Sequence, residues 1–508
     1  MTRSIKERSH EIARTHWIGA FLGVWLVACV PLVVTEILPL ADYPGHLVRV
    51  HLLANWDNLS GYDKYYRPSW VLLPNLALEL IAVPLAKIMP VTTALRLFCA
   101  LTIGLMIYGG ARLNRAVTGQ WTVWSLAPAL LVYSHIFAYG FLNFLFGLGL
   151  CLVALAFRIE GREQSTSVRL LREVAFATAL FVCHLVTLGI YVIAALTHET
   201  TAALQRRAHS MELIREYALL LAGLIVPAVL LSLSPTSQEA GDIEFHALRS
   251  KITKTAQILM TGQGVWDDIF ALSTLAAVGA LLFLRILRIH RTMAVVTLVL
   301  TGVFILAPYR FATVQNVDTR LPLVLLCTGV ASLGVRSTRV SAVLAMLVPL
   351  FLFRFGTTTF HYGPWGQELE RLRADMRAIP KHSLLFRAIH ESAEIFQPWE
   401  WHPPLAHASE LLLLAQPAYS ASLFTEAAQQ PLIRSPEFAA LEVREQVGNT
   451  QQSDLSAYAA RLADKLAAAG RSEPAYVYFL KGATQPTPTN RFDVIIDRPR
   501  FSLYRLLS

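Results

Sequence analysis

The stretch Ala41-Asp42-Tyr43-Pro44-Gly45-His46-Leu47-Val48-Arg49 holds the most chemically suggestive spacing in the chain. Pro44 suits the first turn of a helix, and Asp42 just before it suits the cap region. A helix that starts there sets His46 and Arg49 three apart on one face, with the Asp42 side chain able to fold toward them. An acid, an imidazole and a guanidinium then converge, groups fit for moving a proton and holding an anion. The same spacing allows a plainer outcome, in which Asp42 only caps a juxtamembrane helix while His46 and Arg49 meet lipid headgroups.

Two later segments carry further cations. The loop from Ser234 to Asp268 contains His246, Arg249, Lys251 and Lys254, a pattern that ordinary solvated loop charge also explains. Tyr309-Arg310 and Asp318-Thr319-Arg320 are sharper, because they sit at the ends of apolar runs where an unneeded charge is costly. A local salt bridge between Asp318 and Arg320 that fixes a helix end is the competing explanation. His135, Tyr139 and Asn143, spaced by four, read as helix-to-helix hydrogen bonding or a cavity lining, and His184 as a bonded packing residue. Pro398-Trp399-Glu400-Trp401-His402-Pro403-Pro404 either stacks on a sugar or packs a loop. No Ser-His-Asp signature, phosphate-cradling glycine loop or cysteine-rich metal pattern accompanies them.

The elements that must position these residues are membrane helices. Hydrophobic residues make up 54% of the 508-residue chain and charged residues 16%, with long uncharged runs between short charged loops. Such runs belong in lipid, where about 20 apolar residues of helix cross the hydrocarbon core. Trp17 to Leu40 is the first, too long and too bulky at its end for a cleaved signal peptide. The net charge of +9 is spread over many loops, which excludes a single basic stripe for nucleic acid and fits the positive-inside bias. The five cysteines lie inside apolar runs, so no disulfide framework is expected.

Arg3, Lys6, Arg8 and Arg14 keep the N-terminus in the cytoplasm and place Ala41 onward outside. Basic clusters at Arg158 to Arg172, Arg206 to Arg215, Arg285 to Arg291 and Arg336 to Arg339 are assigned to the cytoplasm. That parity requires Val174 to Leu204 to be a hairpin of two short helices. It also requires one of the two apolar runs between Trp70 and Gly110, broken by Pro84 and Pro90, to be incomplete; otherwise Arg112 and Arg115 fall outside. The expected fold is a polytopic α-helical membrane protein of about eleven to thirteen spans with a small C-terminal α/β soluble domain. The membrane domain covers residues 1–355, with its first outer loop at 41–69, and the soluble domain covers 356–508. There Ser453 to Ala469 reads as a helix, and Ala475 to Leu480, Phe492 to Ile496 and Phe501 to Leu506 as strands.

A cytoplasmic N-terminus, a first span leading into an acidic residue, a long first outer loop, many further spans and a C-terminal outer domain together resemble the GT-C superfamily of membrane glycosyltransferases. Bacterial members similar to this chain carry an Asp-x-Pro-x-His pattern in that loop, matched here by Asp42, Pro44 and His46. The resemblance covers the membrane region in architecture, and its motif is short. It implies transfer of a sugar from a polyprenyl-phosphate carrier to an envelope glycan, lipid or protein acceptor, usually with inversion, in the bacterial inner membrane with the soluble domain in the periplasm. Asp42 takes the position of the general base, His46 and Arg49 help position acceptor or donor, and Arg310, Asp318 and Arg320 belong to the substrate-binding set, with Arg310 or Arg320 meeting the carrier phosphate.

Many families of that superfamily place two acids in the motif, whereas Tyr43 and Pro44 follow the single Asp42. Only the more distant Asp57 and Asp63 could add carboxylates from this loop, so no metal and no other cofactor is expected. Two other classes fit the same layout: a transporter or flippase for a lipid-linked saccharide, and a non-catalytic assembly subunit displaying the outer domain. A transporter more often shows paired repeats with broken helices in both halves, a pattern absent from the sequence. An assembly subunit would tolerate loss of Asp42.

Overall fold

The computed structural model describes residues 14–238, 241–312, 314–335, 339–390, 403–439, 441, 446–447, 453–481 and 490–507. The chain is a polytopic helical membrane protein with a small C-terminal α/β domain. It opens with α1 (Arg14–Ala28), α2 (Tyr43–Asn55), the short strand β1 (Tyr66–Pro68), α3 (Ala77–Ala86) and α4 (Val91–Thr118). A 3-10 segment, Val123–Leu131, leads into the short α5 (His135–Tyr139), then α6 (Leu142–Glu160), α7 (Thr166–Cys183), α8 (Leu185–Arg206) and α9 (Ser210–Leu233). After β2 (Ile243–Glu244) and α10 (Leu248–Ala256) come α11 (Val265–Phe283), β3 (Leu287–Ile289), α12 (Arg291–Leu306), β4 (Arg310–Phe311), α13 (Val317–Ala331) and β5 (Leu333–Val335). The long α14 (Val340–Asp375) then carries the chain into the sheet domain.

Among the described residues six helices, α4, α6, α8, α9, α11 and α14, are long and apolar enough to cross a membrane unaided. The helices α1, α3 and α12 are apolar but shorter and fall below the roughly 20 residues a lone span needs, so length and composition identify six of the expected eleven to thirteen crossings among the described residues. The run from Trp17 to Leu40 is not one helix. α1 stops at Ala28, and Val30–Val33 continues as a 3-10 turn with Pro31 in its first positions. Proline lacks the N–H that the next turn needs and its ring clashes with the preceding one. Beyond it the chain reaches Asp42 without regular structure.

The helix pair expected across Val174 to Leu204 is α7 and α8, of 18 and 22 residues and so longer than two short helices, which meet at His184, in extended backbone. Its Nδ1 accepts the Val186 N–H at 3.2 Å, so this histidine caps α8. The incomplete run between Trp70 and Gly110 is α3, of only 10 residues. Arg112 and Arg115 accordingly lie with Glu160 at the far end of α6, the latter at 2.6 Å. The same end holds a buried charge network: Arg158 meets Glu173 at 2.5 Å and Glu199 at 3.3 Å, and Arg169 pairs with Glu216. The basic clusters at Arg158 to Arg172 and Arg206 to Arg215 thus share one end of the bundle, joined there by Arg285 to Arg291 through Thr292 and Gln205 at 2.9 Å, about 28 Å along α6 from Asp42 at 1.5 Å per residue.

The other end gathers the three segments expected to share a side. β1 pairs antiparallel with β8 (Leu432–Arg434) of the C-terminal domain, Tyr62 donates to the Leu413 carbonyl at 2.8 Å, and Thr236 donates to the Ala428 carbonyl at 2.6 Å. β2 pairs with β4 beside them. The domain's sheet runs β11 (Phe492–Asp497), β12 (Phe501–Leu506), β10 (Ala475–Leu480), β6 (Leu384–His390) and β7 (Tyr419–Ser420), with β9 (Gln446–Val447) also on β6. β10 is parallel to β6 and antiparallel to β12. A short helix α15 (Pro436–Ala439) precedes α16 (Ser453–Ala468), so the predicted helix and three strands stand where their periodicity puts them. α14 continues unbroken through Gly356 and ends at Asp375.

Candidate active site

α2 begins at Tyr43, with Pro44 in its first turn and Asp42 at the cap position, yet the Asp42 side chain makes no cap hydrogen bond. The backbone seats it instead. The N–H groups of Ala41 and Asp42 donate to the carbonyls of Ala138 and Tyr139, each at 2.9 Å. Gly140 turns the chain there with φ of +86°, a conformation that favours glycine. A Cβ on Gly140 would sit 3.1 Å from the Asp42 Cβ, so a side chain at the turn would press on Asp42.

His46 and Arg49 support this seat rather than flank the carboxylate. The Arg49 Nη2 lies 2.8 Å from His46 Nδ1, and Arg49 Nε donates to Glu79 Oε1 at 2.8 Å. A guanidinium only donates, so Nδ1 accepts and Nε2 keeps the proton, which it gives to the Gly140 carbonyl at 3.0 Å. Burial and the neighbouring Arg49 push the His46 imidazole down to about 3, keeping it neutral. The Arg49 and Glu79 side chains are both 0% exposed. This corrects the sequence expectation: neither residue meets lipid headgroups, and Arg49 offers no surface to a substrate. A relay from Glu79 through Arg49 and His46 instead grips the turn under Asp42.

The residues that approach the Asp42 carboxylate come from elsewhere. His407 Nε2 stands 3.8 Å from Asp42 Oδ1, and its Nδ1 lies 2.6 Å from Glu410 Oε1. Both belong to the C-terminal domain, at the 3-10 segment Ala408–Leu414. Gly45 makes room for them, because a Cβ there would fall 2.6 Å from Glu410 Oε2. Arg387 of β6 lies 3.3 Å from His407 Nδ1, and Phe424 packs on the imidazole with ring centroids 4.5 Å apart. Sequence spacing carried no signal for this group, which is far from Asp42 along the chain; only the glycines at 45 and 140 mark the close approach.

Arg320 of α13 also reaches Asp42 electrostatically. Its Nη1 donates to the Gln315 carbonyl at 2.5 Å, and the guanidinium lies 4.4 Å from the Phe141 ring centroid. The local Asp318 to Arg320 bridge does not form. Asp318 pairs with Lys254 at 2.9 Å, and His246, whose Nδ1 lies 2.7 Å from the Lys254 ammonium, stands 3.2 Å away, so α10 brings Lys254 to the start of α13. Lys254 also sits over the Tyr309 ring at 4.9 Å. Arg310 is 32% exposed and pairs with Glu244 at 3.4 Å across β2 and β4. Asn143 is structural: it accepts from the Leu78 N–H at 2.7 Å and donates to the Asn75 carbonyl at 2.8 Å, tying α6 to the start of α3. His135 and Tyr139 touch edge to face at 4.7 Å. The segment from Pro398 to His402 lies outside the described residues.

Burial pushes the Asp42 carboxyl up to about 6; Glu410 adds to the rise, while His407, Arg320 and Arg387 oppose it. The arrangement therefore offers a desolvated acid, not spent on its helix, with cations within electrostatic reach. Such an acid is a stronger base than an ordinary aspartate and is still ionised at neutral pH. Among the described residues no group of three or more His, Cys, Asp or Glu side chains could hold a metal ion.

No protein-family model matches the chain, and no curated relative does. Among solved structures it is similar to that of ArnT from Cupriavidus metallidurans bound to undecaprenyl phosphate, with a TM-score of 0.49 and 12% sequence identity over 97% of this chain and 98% of that one.

Proposed function

We propose that this protein is a membrane glycosyltransferase that moves a sugar from a polyprenyl-phosphate carrier to an envelope acceptor, with Asp42 as the general base. The observation that carries the reading is that Asp42, at a helix N-cap, makes no cap bond and stands half-buried, its side chain 17% exposed, near Arg320 and His407. A cap needs no such surroundings. The Asp42-x-Pro44-x-His46 pattern, the apolar helical bundle and the approach of the first loop to the C-terminal domain support the same reading.

In the proposed step the acceptor hydroxyl oxygen attacks the anomeric carbon as its proton passes to an Asp42 carboxylate oxygen. The bond from the anomeric carbon to the phosphate oxygen breaks, and its electron pair leaves with the polyprenyl phosphate. Attack opposite the leaving group inverts the anomeric centre. Arg320, with Lys254 and His246 behind Asp318, meets the negative charge that grows on the departing phosphate. His46 and Arg49 act through the turn at Gly140, and Arg310 guides the carrier from the rim. The inner membrane of a bacterium, with this end of the bundle in the periplasm, is the setting that the basic clusters at the opposite end favour.

The test compares the purified wild-type protein and Asp42→Asn in nanodiscs with a panel of polyprenyl-phosphate sugars and an envelope extract. Transfer by the wild type that collapses in a folded, lipid-binding variant supports the proposal. Equal transfer by both places the base elsewhere, and carrier translocation without transfer replaces the enzyme with a flippase.

A further inference from the structure

A cavity of about 770 Å³ opens between α11, α14 and the turn before β12, and none of its lining residues belongs to the group around Asp42. Trp266 contributes from α11, Phe360, Trp365, Glu368 and Arg371 from α14, and Arg500 from the sheet domain. α14 has 36 residues, about 54 Å of helix at 1.5 Å per residue. That is well beyond the roughly 30 Å of a hydrocarbon core, so its charged final turns stand outside the lipid. Phe360 to Arg371 is where the sequence passes from apolar to charged, at the depth of lipid headgroups. Trp266 and Phe360 remain 50% and 81% exposed at the cavity, as aromatic residues at a membrane interface are.

The polar half of the wall is charged, with Glu368 within electrostatic reach of Arg498. Among the described residues none of Glu368, Arg371 and Arg500 forms an ion pair. Arg500 is nevertheless held in place: its guanidinium stacks 4.3 Å from the Trp365 ring centroid, and Arg498, two residues earlier, pairs with Asp375 of α14 at 2.9 Å. Two guanidiniums suit a phosphodiester, which accepts bonds from both. One carboxylate in the same wall suits a cation attached to that phosphate.

We propose that this cavity binds the headgroup of a membrane phospholipid carrying a primary ammonium, with Arg371 and Arg500 on the phosphodiester and Glu368 on the ammonium. The acyl chains lie along the lipid-facing sides of α11 and α14. The site tethers the sheet domain to the membrane surface, because Arg500 belongs to the domain and Arg371 to the spanning helix. It is independent of sugar transfer, and its readout is retained lipid.

The experiment places the full-length protein in nanodiscs of equal phosphatidylethanolamine, phosphatidylglycerol and phosphatidylcholine and counts lipids retained after release by native mass spectrometry. Wild type retains phosphatidylethanolamine at about fivefold or more over the other two, an enrichment worth about 1 kcal/mol. Glu368→Gln keeps a bound phospholipid but loses the preference, and the double variant Arg371→Gln/Arg500→Gln loses retention, with thermal melting unchanged to show that both fold. Retained lipid that mirrors the bulk, or the same retention in the double variant, overturns the proposal. Displacement by millimolar inorganic phosphate makes this a free-phosphate site, and displacement by polyprenyl phosphate gives the cavity to the sugar carrier; either result also overturns it.

Discussion

Asp42 Oδ1 and His407 Nε2 lie 3.8 Å apart although one follows the first helix and the other opens a segment of the C-terminal domain. The domain therefore completes the site instead of standing apart from it. His407 lowers the proton affinity of Asp42, so His407→Gln should move the rising limb of the pH–rate profile above the wild-type midpoint near 6. It should also reduce kcat about tenfold, less than the roughly hundredfold or more lost with a group that transfers the proton itself. An unmoved midpoint in a folded variant would mean that the histidine does not act on Asp42.

Burial raises the Asp42 pKa from 3.8 to about 6 in the folded protein, so ionising it costs stability. The cost is absent below about pH 4, grows as pH rises toward 6 and is constant above. Asp42→Asn removes it, a gain of about 3 kcal/mol at pH 7.5. The variant should lose transfer and melt a few degrees higher, with the gain shrinking to nothing at pH 4. A variant that melts lower at neutral pH would show that the carboxylate is structural.

Arg49 and Glu79 form a fully buried pair. Removing one charge leaves the other unsatisfied, at about 3–5 kcal/mol. Arg49→Met or Glu79→Gln should therefore sharply reduce the yield of folded protein, and the double variant Arg49→Met/Glu79→Met should recover much of it. Thermal melting of the three variants in one detergent checks this; additive losses would break the pairing argument.

Gly140 is the turn under Asp42, with positive φ and room for a Cβ only at 3.1 Å from the Asp42 Cβ. Gly140→Ala should cost about 1 kcal/mol of stability and, by displacing Asp42, lower kcat by about a hundredfold with KM for the donor little changed. Steady-state kinetics separate the two constants, and a rise confined to KM would assign the turn to donor binding.

Arg320 and Lys254 flank Asp318 on the donor side of the proposed site. Each charge-assisted bond to phosphate is worth about 1.5–3 kcal/mol. Arg320→Gln should weaken binding of a polyprenyl phosphate by about tenfold or more, and Lys254→Gln should do so to a smaller degree. Isothermal binding in nanodiscs measures both, and unchanged affinity in Arg320→Gln would move the phosphate elsewhere.

Residue type and spacing alone determined the membrane class, the helix starting at Tyr43 with Asp42 before it, a break between two helices within Val174 to Leu204, one incomplete run between Trp70 and Gly110, and the helix and strands of the last hundred residues. Each is a local matter: apolar periodicity, a proline in a first turn or a run too short to cross. The carboxylate's surroundings are not local. Asp42 meets His407 because α2 packs under Ala408–Leu414, and Glu410 fits there because residue 45 is glycine. Arg49 turned from a candidate ligand into a buried support because Glu79, on α3, takes its guanidinium. Asp318 chose Lys254 over Arg320 because α10 lies against the start of α13. Spacing along the chain shows which side chains share a helical face; only the tertiary structure decides which partner from another element neutralises a buried charge, and so which charges remain for chemistry.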